Sequence, residues 1–181
     1  MSILRATVML FTVGLVSLFG AGRAQTQDVS LQAELLNDWS TLKVTMHRIA
    51  AEMPADKYRF RPTDAQQTFG ERTLHVAAVN VALLSALGET AIPKPTIDPK
   101  ATTKDAVLKA LDDSFDYGIA LLERQSDQTL LQPAGSTPRF LGPSSRARII
   151  GFLVGHTWDT YGQLAVYLRL NGHVPPASQR M

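Results

Sequence analysis

The sequence contains no cysteine. That excludes a disulfide framework, thiolate metal ligands and a cysteine nucleophile, so stability has to come from an apolar core. It also lacks any cluster of Lys and Arg and any interleaving of basic with aromatic residues, so no nucleic-acid partner is expected. The overall charge agrees. There are 18 Lys and Arg against 16 Asp and Glu, but Arg5 and Arg23 lie in the first 24 residues, which hold no acid. The remainder is balanced. No G-x-S-x-G elbow, phosphate-binding loop, G-x-G-x-x-G, H-E-x-x-H or EF-hand loop occurs, so no nucleotide cofactor is expected and no serine is placed to work as a nucleophile.

What the chain does have begins with "MSILRATVMLFTVGLVSLFGAGRA". Arg5, an apolar run from Ala6 to Phe19, and small residues up to Ala24 form the layout of a secretory signal peptide, with Gly22 and Ala24 where the peptidase reads. The run is short of the roughly 20 apolar residues that a membrane span requires. Residues 1–24 are therefore read as a signal peptide and the protein as exported, periplasmic or secreted, with no stable membrane span after cleavage. The 157 residues from Gln25 onward suffice for one well-buried domain and are too few for two.

Four segments carry helical periodicity. Leu35, Trp39, Leu42, Met46, Ile49 and Met53 step by fours and threes, the seam of a packed helix that stops before Pro54. Thr68 and Glu71 form a capping box ahead of "RTLHVAAVNVALLSALG", which is apolar nearly all round and ends at Gly88 in the manner of a left-handed cap. The proline-rich "ETAIPKPTIDPKA" reads as a long crossover that lets a third helix, about Thr103 to Arg124, run parallel to the second. Its inward face is Leu108, Leu111, Phe115, Gly118 and Leu122. After a Pro, Gly and Ser-rich loop comes a last helix, about Ser145 to Leu170, with Ile149, Leu153, His156, Thr160, Gln163 and Tyr167 on one stripe. The expected fold class is all-α, a four-helix bundle with a long crossover between helices two and three, its domain covering residues 31–178.

Two residues then stand out chemically. His156 sits on the apolar stripe of the last helix and His75 sits inside the second, so both are expected on buried helix faces, where facing helices of a bundle build metal sites. Spacing alone favours two core histidines, each hydrogen-bonded to a neighbour.

The order of motifs adds information. "FRPTDAQQTFGERTLHVAAVN", followed by "GHTWDTYGQLAVYLRLNGHVPP", resembles the DinB-like superfamily, exported bacterial members above all, over roughly Leu31 to Ser178. The resemblance implies a divalent metal, such as zinc, nickel or manganese, held by one histidine of helix two and an H-x-x-x-H pair of helix four. Those ligands fall on His75, His156 and Thr160. The third is a threonine, whose neutral hydroxyl is a poor ligand beside imidazole. Candidate substitutes are Asp159, three residues after His156, and His47 beside the helix-one seam; Asn80 and Gln163 are expected as polar groups of the pocket.

Some members of the superfamily are thiol S-transferases or related metal-dependent enzymes, which implies a small-molecule thiol ligand and an ion acting as Lewis acid. The leading reading is an envelope protein with a degenerate metal site; the alternative is a metal-free binding or structural bundle without catalytic activity. Trp39 is expected in the core. Trp158 is open between an interface anchor and partial burial under a loop, and a homodimer is compatible with the sequence.

Overall fold

Ser30 starts the first helix. Its hydroxyl accepts from the Ala33 amide, and α1 runs Leu31–Glu52 with Trp39, Leu42, Met46 and Ile49 buried along the seam that the periodicity predicts. The computed structural model describes residues 29–179, so the predicted signal peptide, residues 1–24, lies outside the described residues. Among the described residues the protein is all-helical, and its other α-helices are α2 (Phe69–Leu84), α3 (Lys104–Glu123), α4 (Asp127–Leu130) and α5 (Arg146–Leu170).

Specific contacts set the directions of the long helices. Trp39 meets Phe115, the His47 ring meets Asp112, and Lys104 at the start of α3 donates to the carbonyl of Met53 just past the end of α1, so α1 and α3 are antiparallel. Tyr58, in the loop after α1, ties the start of α2 to the same end: its hydroxyl donates to Ala50 and its carbonyl accepts from Gly70. Both α2 and α3 thus begin beside the end of α1 and run parallel, joined by the irregular crossover at 88–103, with Asn80 reaching Ser114 midway. Along α5, Arg146 pairs with Glu89, His156 faces His75, and Tyr167 donates to the Gln67 carbonyl, so α5 runs antiparallel to α2. One hydrophobic core lies among these four helices.

The capping box opens α2 as its sequence indicates: Thr68 Oγ1 accepts from the Glu71 amide, and Glu71 Oε2 accepts from the Thr68 amide at 2.8 Å. Those hydrogen bonds to Thr68 hold the Glu71 carboxyl below its usual range. At the other end Gly88 has φ 82°, the left-handed cap. The short helix α4 was not legible in the loop that contains it. Its Asp127 accepts from Ser30 Oγ and from the Leu31 and Gln32 amides, capping α1 from 97 residues away. No helix among the described residues is long and apolar enough to cross a membrane.

Candidate functional site

The site lies at the surface where α2 faces α5. Because the two helices are antiparallel, His75, two turns into α2, lies opposite His156, near the middle of α5, and their Nε2 atoms stand 3.3 Å apart. The rings are tilted, with centroids 5.2 Å apart. The expectation that both lie on buried faces needs correction: His75 is exposed and His156 half-buried. The reason is the phase of the helices. On α5 the buried side is centred between Ile149, Leu153 and Thr160 on one hand and Ile150, Thr157 and Leu164 on the other, which leaves His156 and Gln163 on its flank.

Around the pair, Phe152 stacks on His156 with rings 6.2 Å apart and 23° from parallel, and Phe140 covers Phe152 in turn. Nδ1 of His156 is buried without a hydrogen-bond partner. Burial first, then the neighbouring His75 and, more weakly, Arg72, hold the His156 imidazole below its ordinary pKa against the opposing pull of Asp159. A neutral imidazole is the form that can accept a proton or a metal. Next to His75 opens a pocket of about 430 Å³ lined by Gln66, Gln67, Glu71, Leu74 and Pro99.

The remaining candidates fall in different places. Thr160 is 2 % exposed, and its Oγ1 donates to the His156 carbonyl at 3.1 Å, so the hydroxyl is spent on its own helix. Asp159 is exposed and accepts from Gln163 Nε2 at 2.7 Å, the two forming the polar rim of α5. His47 lies elsewhere: its Nδ1 contacts the Asp112 carboxylate at 3.0 Å across the seam of α1 and α3. Asn80 is fully buried and donates to Ser114 Oγ of α3, so it belongs to the core and to the opposite neighbour of α2. Trp158 is 46 % exposed and packs edge-on against Tyr161.

The donor set fits a divalent ion in part. Two Zn–N bonds of about 2.0–2.1 Å at a tetrahedral angle place their nitrogens about 3.3 Å apart, which is the spacing of the two Nε2 atoms. A third protein ligand does not fit: among the described residues no group of three or more His, Cys, Asp or Glu converges, and the Thr160 hydroxyl faces its own backbone. Sequence reasoning also passed over Arg72 and Phe152. Arg72 reads as an ordinary first-turn charge, and Phe152 as one more apolar residue of α5.

Comparison with known proteins gives the lineage. The family model described as the DinB superfamily matches residues 41–164, well over half of the chain. The chain belongs to the DinB superfamily. Among solved structures, this DinB-superfamily chain is similar to a DinB-like protein from Bacillus cereus ATCC 10987, at 17% identity and TM-score 0.67, covering 80% of this chain and 95% of that one. It is also similar to a DinB-like protein, YjoA, from Bacillus subtilis, at 15% identity and TM-score 0.64, covering 81% and 99% of the two chains. At these identities the likeness is one of fold. No curated protein matches the chain.

Proposed function

We propose that this DinB-superfamily protein is an exported four-helix bundle of the cell envelope, released by cleavage of residues 1–24, whose metal centre is reduced to two histidines. The observation that carries the reading is the 3.3 Å approach of His75 Nε2 to His156 Nε2. In it, His75 and His156 hold a divalent ion such as zinc, nickel or manganese weakly, and solvent or a small-molecule thiol fills the remaining positions. A bound ion would supply Lewis-acid activation of that ligand. The chain's own residues prepare the place. Burial lowers the His156 pKa, Phe152 stacks on its ring, and a pocket opens beside His75.

The second reading, a metal-free binding or structural bundle, is favoured by one specific observation: the hydroxyl at the third ligand position is turned to the backbone and buried. Losing a mere supporting partner of a metal ligand typically costs about 10–100-fold in affinity, and losing a first ligand costs at least as much. Equilibrium dialysis of metal-free protein against zinc, nickel and manganese separates the two. Uptake of one equivalent of any of them that disappears in His75→Gln supports the first reading. Absence of uptake of all three leaves the second.

A further inference from the structure

Among the described residues, Arg72 is a half-buried cation that no carboxylate meets. It precedes His75 by three residues, which places it one turn along α2 on the neighbouring strip of the same surface. Its side chain is half-buried, its Nε has no accessible surface, and that atom has no hydrogen-bond partner. No ion pair reaches it among the described residues. The adjacent acids are engaged elsewhere: Glu71 Oε2 accepts from the Thr68 amide and hydroxyl, and Asp159 accepts from Gln163.

Withdrawing part of a guanidinium from water without an acceptor is costly, because the group cannot lose its proton and has five donors to satisfy. The planar fork matches an oxyanion bidentately. We infer that Arg72, together with the His75 and His156 ring nitrogens, forms an oxyanion subsite where α2 faces α5 that takes the carboxylate or phosphate group of a small molecule. The subsite rests on the placement of the pocket proposed above but not on a bound metal. The pocket beside His75 gives the rest of such a molecule room.

The test uses metal-stripped full-length mature protein, titrated calorimetrically with sodium acetate and with inorganic phosphate, at ionic strength held constant with sodium chloride. One saturable equivalent of either anion is expected; acetate alone identifies a carboxylate ligand, phosphate alone a phosphate ligand. Arg72→Gln should weaken that binding at least tenfold without weakening a parallel zinc titration, because it removes a positive charge beside the two imidazoles. Should Arg72→Gln fail to fold, Arg72→Lys, which keeps the charge and loses the fork, should still bind more weakly than wild type. The inference is overturned if neither anion binds above the chloride background, or if the folded Arg72 variant binds as wild type does. Anion binding with no zinc binding to the wild type would sink only the metal reading, and zinc binding without anion binding only this one.

Discussion

His75 and His156 face each other at 3.3 Å through their Nε2 atoms, across two antiparallel helices. One turn beyond His156 the position that would complete a three-histidine centre holds Thr160, hydrogen-bonded to the His156 carbonyl.

Thr160→His should therefore raise zinc affinity by at least tenfold, the low end of what about 10–100-fold effects of ligand support lead one to expect. Thr160 is 2 % exposed, so the larger ring also strains the core, a cost of about 1–3 kcal/mol. A competition titration reads the first effect and thermal unfolding without metal the second. Unchanged affinity in a folded variant would mean that position 160 does not converge on the pair.

The packing of α1 on α3 depends on one missing methyl group. A Cβ on Gly118 would lie 2.4 Å from Nε1 of Trp39, a fully buried ring whose N–H donates to the Phe115 carbonyl at 3.0 Å. Gly118→Ala should destabilise by about 1–3 kcal/mol, from overpacking, lowering Tm by roughly 2–4 °C per kcal/mol at this size. Gly155→Ala is the control. Nothing lies within 4 Å of its added Cβ, and alanine in a helix interior is favoured over glycine by up to about 1 kcal/mol, so Tm should rise.

Much of this was legible from spacing, and where it was not the reason is physical. The seam of α1 is readable because its apolar residues occupy one face, and Trp39, Leu42, Met46 and Ile49 are all buried. In α2 and α5 apolar or small residues occur on several faces, Val79 and Phe152 at the flanks and Gly155 and Val166 outside, so the period does not fix which side faces in. The period therefore does not foretell that His75 and His156 meet at a rim and not in the core. The role of Arg72 depends on what is absent around it, and the cap that Asp127 places on α1 spans 97 residues. Neither leaves a local pattern.

That long-range cap has a pH signature. Hydrogen bonds from the Gln32 amide and the Ser30 hydroxyl, then from the Leu31 amide, lower the Asp127 pKa in the folded state. A depressed carboxyl contributes stability above its unfolded pKa of about 3.9, and that contribution is lost as pH falls through the folded value. Asp127→Asn should unfold at a lower temperature than wild type at neutral pH, and the gap should close in acid. A gap that stays constant from pH 7 to pH 2 would show that the charge of Asp127 adds nothing to the cap.

Whether the two histidines act as one metal-competent pair is decided by titrating metal-free mature protein with zinc beside the His75→Gln, His156→Gln and His47→Gln variants. One weak equivalent is expected in the wild type, lost in either of the first two variants and retained in the third, since His47 is engaged by Asp112 across a different seam. Zinc binding that survives loss of His75 or His156, or that vanishes with His47, would contradict such a pair.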